Sequence, residues 1–288
     1  MGAKILEGKP IAQKIKEEVK AEVEKLKAEG VTPCLAAVQV GEDPASKSYI
    51  RSQRRSCKEV GIEYKLFTLP ENTSKEELKE FIEKLNNDPS ITGIILQMPL
   101  PKHIDAREAF CWIDEKKDVE GVTPANLGLI AFDMPRLAPP TALAAIRMIE
   151  ETGEEVLGRE TVVVGRSTIV GKPAALLLLQ RKFSATVTVC HTGTSKRGKL
   201  EEHVRNAEIL IAAAGQPHLI KGEWVKEGAI VVDVGMNYVE GKFVGDVEFE
   251  TAKERASYIT PVPGGVGPVT TAILLRNVVE AVKWQREG

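Results

Sequence analysis

The sequence predicts an α/β chain of two domains, the second a Rossmann-like, doubly wound dinucleotide-binding fold. Three observations carry this. Helical and strand periodicities alternate along most of the chain, as parallel strands with crossover helices require. The alternation occurs twice, over 33–97 and again from 160, with a Pro- and Gly-rich stretch at 98–140 in between. The 288 residues also exceed one typical core and suit two domains of roughly 100–150 residues.

In order, Ile11 to Glu29 carries Lys, Glu, Ala and Leu at helical spacing and stops at Gly30, a favoured C-cap. Pro33 to Val40 is a short apolar run, hence a buried strand. A helix over 45–60 and a strand over 63–69 follow. Ser74 with Glu77 three residues on forms a capping box, which predicts a helix to about Leu85. TGIILQ (92–97) is the third strand. The stretch 98–140 reads as long functional loops, and Thr141 to Glu151 as a helix. The second alternation runs TVVVG, a helix over 171–179, ATVTVC, a helix over 199–205, EILIAAAG and AIVVDVG. Residues 241–249 suggest a hairpin or short excursion, and ASYITPV a fifth strand. The last helix is expected from near Pro268 to about Trp284.

Composition excludes several classes. Hydrophobic residues at 43% and charged residues at 28% are ordinary for a soluble globular protein. A net charge of -2 offers no basic field for nucleic acid or membrane. No apolar run approaches the roughly 20 residues of a membrane span, and the charged, amphipathic start does not read as a signal peptide. Cys34, Cys57, Cys111 and Cys190 form no CxxC pair and have no zinc spacing, so no metal is expected. Free thiols point to the cytoplasm.

Val162 to Gly171 reads VVVGRSTIVG: a strand, a tight Gly turn, then a helix. Doubly wound domains hold a dinucleotide phosphate at such a turn, on the helix N-terminus. The spacing is neither GxGxxG nor a P-loop. NAD sites usually carry an acid at the end of the second strand. Here that end reads Cys190-His191-Thr192, and Arg166 follows the first Gly; an Arg without the acid suits the 2′-phosphate of NADP. Ala214-Gly215 and Gly235-Met236 lie at the ends of the next two strands, where ligands sit in open sheets. Candidate cofactor residues are therefore Gly165, Arg166, Ser167, Ile169, His191, Thr192, Ala214, Gly215, Gly235, Met236 and, at the start of the last helix, Thr270.

YITPVPGGVGPVT (258–270), taken with VVVGRSTIVGKP, ATVTVCH, VVDVG, KDVEG, QMPLPKH and VGEDPASKSYI, closely resembles the methylenetetrahydrofolate dehydrogenase/methenyltetrahydrofolate cyclohydrolase family. The likeness runs from about residue 3 to 285. It implies a homodimer, with folate bound by 1–142 plus 272–288, NADP by 143–271, and the active site in the cleft between the domains. It implies that Tyr49 stacks on the folate ring and that Gln97 belongs to the catalytic network. Asp118 and Glu120 of the DVEG loop, Pro99, Leu100, Pro261, Gly264 and Gly265 are expected around the substrate. A carboxylate at 120 suits the paired N–H donors of a pterin.

The family motif YxxxK departs here: four residues after Tyr49 stands Gln53, not Lys. Tyr49 and Gln53 are i and i+4, so both share a helix face, while Arg54 and Arg55 point about 100° and 200° away. Hydride transfer from the methylene carbon needs no proton removed, whereas hydrolysis of the methenyl cation needs proton transfers. Gln cannot titrate near neutral pH. The expectation is a retained dehydrogenase with weak or absent cyclohydrolase. The alternatives are a fully bifunctional enzyme, a shikimate- or amino-acid-type dehydrogenase using Lys117-Asp118, and a non-catalytic NADP- or folate-binding protein. Glu120 in place of the family Asp, and Pro140, Ala142 and Ala144 within PPTALA, mark further departures.

Overall fold

A computed structural model describes residues 2–42 and 44–287. In chain order the elements are β1 (Lys4–Ile5), α1 (Gly8–Ala28), β2 (Cys34–Val40), α2 (Pro44–Val60), β3 (Glu63–Leu69), α3 (Lys75–Asn87), β4 (Gly93–Leu96), α4 (Ala106–Phe110), α5 (Pro124–Ala131) and α6 (Pro140–Glu150). They continue with β5 (Glu160–Val164), α7 (Gly171–Leu179), β6 (Thr186–Cys190), α8 (Thr192–Lys196), α9 (Leu200–Asn206), β7 (Ile209–Ala212), β8 (Ile230–Asp233), β9 (Asn237–Val239), β10 (Lys242–Val244), α10 (Phe249–Arg255), β11 (Tyr258–Ile259) and α11 (Val266–Arg286).

The chain divides into two compact units. One gathers Gln13–Leu129, Pro135–Ala138 and Thr271–Gly288. Its sheet has the order β3-β2-β4, all parallel, with Leu35 paired to both Tyr64 and Gly93. Central β2 is apolar except at Gln39 because it is covered on both faces over most of its length. Leu78, Ile82 and Leu85 of α3 pack with Ile94 and Leu96 into its core. The capping box is present as expected: Ser74 Oγ accepts from the Glu77 amide, and the Glu77 carboxylate accepts from the Ser74 amide.

The other unit gathers Met1–Ala12, Ile130–Met134 and Pro139–Thr270. Its six strands run β1-β11-β8-β7-β5-β6, all parallel. Order reverses after β5, with β6 on one side and β7 on the other, which is a topological switch point where a doubly wound sheet opens a crevice for ligand. The core joins Val162, Val164, Leu210, Val231 and Ile259.

Several elements depart from the sequence reading. Residues 1–12 were expected with the folate domain, but Lys4 and Ile5 pair with Tyr258 and Ile259 at the edge of the six-stranded sheet. Residues 140–142 also cluster with that sheet. A two-residue strand carries no periodicity to read. The loop stretch 98–140 contains α4 and α5, which are short, the first capped by Asp105 and the second opening on Pro124. The expected hairpin begins earlier than 241, with β9 and β10 antiparallel and Asn237 opposite Val244, and α10 follows where only an excursion was expected.

Candidate active site

Within the three-stranded unit, Tyr49 and Gln53 share one face of α2, as their spacing requires. Gln97 follows the last residue of β4, and its amide nitrogen donates to Gln53 Oε1 at 2.9 Å. Tyr64 on β3 donates its hydroxyl to the same oxygen at 3.1 Å. Both glutamines are buried. With its oxygen doubly engaged, Gln53 leaves its Nε2 buried and without a hydrogen-bond partner. Such an orphan donor costs free energy unless a ligand or water takes it.

Tyr49 is 43% exposed, yet its hydroxyl end lies among protein. Burial pushes the phenol up to about 12, the Glu120 carboxylate adds to the rise, and the Gln53 amide opposes it. Tyr49, Gln53, Gln97 and Glu120 are thus one cluster. Pro99 is exposed just beyond Gln97, and half-buried Leu100 packs on the hydrophobic core.

Glu120 owes its place to the edge of β4. Ile94 donates to the Lys117 carbonyl and bridges in parallel to Asp118, so the loop lies along the strand. Gly93 admits it, since a Cβ there would strike the Val119 side chain. Gly121 turns the chain at φ +59, with no room for a Cβ beside Ala138. Asn277 of α11 donates to the carbonyls of Val119 and Ala138 at 2.8 and 2.9 Å. Burial, with Asp118 nearby, pushes the Glu120 carboxyl up to about 8.

Asp118, expected among the substrate contacts, is instead turned fully inward. Its Oδ2 accepts from the Thr123 amide and from Asn126 Nδ2, which holds the loop, while its Oδ1 is buried without a hydrogen-bond partner. Lys117 turns away from it: Nζ donates to the carbonyls of Leu85 and Asp88. The Lys–Asp pair of a shikimate-type centre is not formed. Sequence reading missed Tyr64, Asn126 and Asn277, whose partners are brought to them by the tertiary fold.

In the six-stranded unit, Gly165 ends β5 at φ +140, where a Cβ would run into the Ala213 carbonyl. Gly171 lies equally close to the Gly165 carbonyl. Arg166, Ser167 and Ile169 between them are exposed. Ser167 Oγ accepts from the amides of Val170 at 3.1 Å and Gly171 at 3.4 Å, which holds the turn onto α7. At the end of β6, His191 caps α8: its Nδ1 accepts from the Gly193 amide at 3.1 Å, and Thr192 beside it is exposed. Gly215 and Met236 are exposed, Gly235 is buried, and Ala214 is half-buried. In the last loop, the Gly264 carbonyl accepts from Gly8 and the Pro261 carbonyl from Gly265. Thr270 turns its hydroxyl back to the Val266 carbonyl.

The turn from Gly165 to Gly171 therefore has the form a dinucleotide phosphate needs, with exposed backbone at a strand C-terminus and no carboxylate at the end of β6. Replacing Gly165 with Ala forces both a left-handed φ and a clash with backbone. At about 1–3 kcal/mol of strain, NADP affinity should fall roughly 10–100-fold; titration of the cofactor's fluorescence checks it, and an unchanged Kd would remove this turn from the cofactor site. Among the described residues, no group of three or more His, Cys, Asp or Glu is placed to hold a metal, and no helix is long and apolar enough to cross a membrane.

Comparison with known proteins places these features. Residues 6–120 match the catalytic domain of tetrahydrofolate dehydrogenase/cyclohydrolase, and 139–286 its NAD(P)-binding domain. The chain is 52% identical to the bifunctional protein FolD of Geotalea uraniireducens, over 98% of this chain and 99% of that one. The bifunctional FolD structure from Campylobacter jejuni superposes with a TM-score of 0.94 at 42% identity, covering 98% and 99% of the two chains. The Trypanosoma brucei FolD, solved with NADP cofactor and an inhibitor, gives a TM-score of 0.93 at 37% identity, covering 100% of each.

Proposed function

The chain belongs to the tetrahydrofolate dehydrogenase/cyclohydrolase family, and on that premise we propose that it oxidises 5,10-methylenetetrahydrofolate to 5,10-methenyltetrahydrofolate with NADP as hydride acceptor and, as the relatives' names favour, also hydrolyses the methenyl product; the second reading, carried by Gln53, is that this hydrolysis is weak. Folate is assigned to the three-stranded unit and NADP to the six-stranded unit. Tyr49 stacks on the folate ring and Glu120 takes the pterin donors. Arg166 pairs with the 2′-phosphate, supported by the missing acid at the end of β6 and by the NADP bound to the Trypanosoma relative. NADP supplies the nicotinamide carbon that accepts the hydride. No proton leaves the substrate in that step, so the protein contributes by positioning.

The observation that carries the second reading is Gln53. It stands where the family Lys is expected, is buried, and holds an amide whose free Nε2 can donate but cannot take a proton. It can orient water or a folate oxygen, but it cannot act as general base. The fully bifunctional reading has separate support in the relatives' names, which state both activities, and those names weigh toward it more heavily than one side chain weighs against it. A homodimer and a cytoplasmic location in one-carbon metabolism are part of the proposal, as the family resemblance implies.

One assay separates the readings. Purified protein is given methylenetetrahydrofolate with NADP, and with NAD in parallel, while NADPH and the methenyl product are both followed. Authentic methenyltetrahydrofolate is then added alone. Hydrolysis as fast as oxidation is the result the relatives' names favour and establishes the bifunctional enzyme; accumulation of methenyl product with slow hydrolysis establishes a dehydrogenase in which Gln53 has removed the second activity. Tight NADP binding without turnover would make the chain a binding protein.

A further inference from the structure

Two buried carboxylates beneath the C-terminal ends of β7 and β8 lie outside every residue assigned so far. Asp233 ends β8, and Asp246 follows β10; both are buried, Asp246 completely. Asp233 Oδ1 accepts from the amides of Gly235 at 2.9 Å and Asp246 at 3.1 Å, and its Oδ2 from Val247 at 2.9 Å. Asp233 thereby fixes the strand end that carries Asp246. Asp246 Oδ2 in turn accepts from the amides of Ala214 at 2.6 Å and Gly215 at 3.0 Å. Its Oδ1 accepts from the Gln216 amide at 2.9 Å and from Asn237 Nδ2 at 3.0 Å. Glycines make the room: a Cβ at Gly235 would strike the Asp246 carboxylate, and one at Gly245 the Asp233 carboxylate.

Three successive amides converging on one acceptor form the kind of nest that binds anions. Here the anion is internal. The Gly-rich turn 214–216 therefore has no amides left for a phosphate, although its composition suggests a phosphate loop. Its role for a ligand lies in its shape and in its carbonyls, and that shape is imposed by Asp246. The same carboxylate holds Asn237, so one side chain brackets both Gly-rich loops at the ends of β7 and β8.

We propose that Asp246, seated by Asp233, is a positioning residue for the dinucleotide: it holds Ala214-Gly215-Gln216 and Gly235-Met236-Asn237 in the conformation that receives the nicotinamide half of NADP. The proposal rests on the assignment of NADP to the six-stranded unit. Asp246→Asn cannot satisfy all four donors, because one oxygen becomes an NH2 that faces N–H groups in either orientation. The loop then loses at least one of its fixed amides, and each buried unpaired donor weakens the loop conformation.

The test compares full-length wild type, Asp246→Asn and Asn237→Ala by titration with NADP and, separately, with a folate analogue, alongside thermal melts and amide hydrogen exchange over 213–217. Wild type is measured first; if it does not bind NADP, the cofactor assignment fails and not this inference. With wild-type binding in hand, Asp246→Asn is expected to weaken NADP about tenfold or more, which corresponds to one lost buried hydrogen bond. Folate binding should stay within about twofold, on the same scale of affinity. Amides 214–216 should exchange faster in the free variant. Asn237→Ala, which removes a single donor, should weaken NADP to a lesser degree and decides the matter if Asp246→Asn does not fold. Unchanged NADP affinity in a folded variant overturns the proposal, as does an equal loss of NADP and folate binding.

Discussion

On the weak-hydrolysis reading, replacing Gln53 with Lys is expected to raise methenyltetrahydrofolate hydrolysis relative to dehydrogenation by about 10²–10⁴-fold, the usual worth of general acid–base help. The site can receive the new side chain. Gln53 now accepts from Tyr64 and Gln97, and an ammonium accepts nothing. Both neighbours can reverse, however: the Tyr64 hydroxyl also accepts, and the Gln97 amide can turn its oxygen toward Nζ. Two of the three N–H groups are then paired, and the third takes the direction of the present orphan, Gln53 Nε2. Burial lowers a lysine pKa, which is what a proton carrier near neutral pH needs, while the Glu120 carboxylate of the same cluster opposes that shift when it is ionised. The dehydrogenase should change far less, because hydride transfer asks for no proton. Gln53→Met fills similar volume, removes both partners, and serves as the control. Hydrolysis and oxidation are measured on the same preparations from pH 6 to 9. If wild type already hydrolyses as fast as it oxidises and the Lys variant gains nothing, Gln53 orients water well enough alone, and titration at position 53 is irrelevant to the second reaction.

The uneven legibility of fold and site has a physical pattern. Strands β2 and β4 could be read because burial on both faces leaves apolar runs, broken in β2 only by Gln39. Helix α3 could be read because its cap is local, Ser74 to Glu77. Elements α4, α8 and β1 could not, since two to five residues carry no period. In the site, Tyr49 and Gln53 were legible as i and i+4 on one helix. The groups that orient them were not: Tyr64 meets Gln53 across the β3 face, Asn277 reaches the Glu120 loop from 158 residues away, and Asp246 meets turn 214–216 across some thirty. Such partners are set by packing, which no local pattern encodes. Asp118 shows the opposite case. Its motif marks a real loop, but of the loop's two acids Asp118 is fully buried while Glu120 is only half-buried, a difference the spacing does not reveal.

Replacing Glu120 with Gln is expected to raise KM for methylenetetrahydrofolate roughly 10²–10⁴-fold, since two hydrogen bonds to a charged group contribute about 1.5–3 kcal/mol each. The argument is geometric first. A carboxylate accepts the two pterin donors in parallel; an amide meets one of them with an N–H of its own. The second signature is in pH. Burial, and next the charge on Asp118, push the Glu120 carboxyl up to about 8. Below that value the free protein holds a proton that the donor pair must displace. Apparent folate affinity should therefore rise with pH between about 6 and 8 and level off above. The limiting slope is about tenfold per unit for the one proton displaced, and the part of Glu120 that remains open to water moves the window toward lower pH without changing that slope. Gln at 120 carries no such proton, so its lower affinity should be flat over the same range. Asp at 120 should keep the slope and recover most of the affinity, because it retains both acceptors. The Tyr49 phenol, pushed up to about 12, does not titrate in this window and cannot supply the slope. A wild-type KM that is level from pH 6 to 9, or an Asp variant as weak as the Gln variant, would take the pterin contact away from Glu120. Its raised carboxyl would then belong to the loop that Asn277 and Asp118 hold in place, not to the substrate.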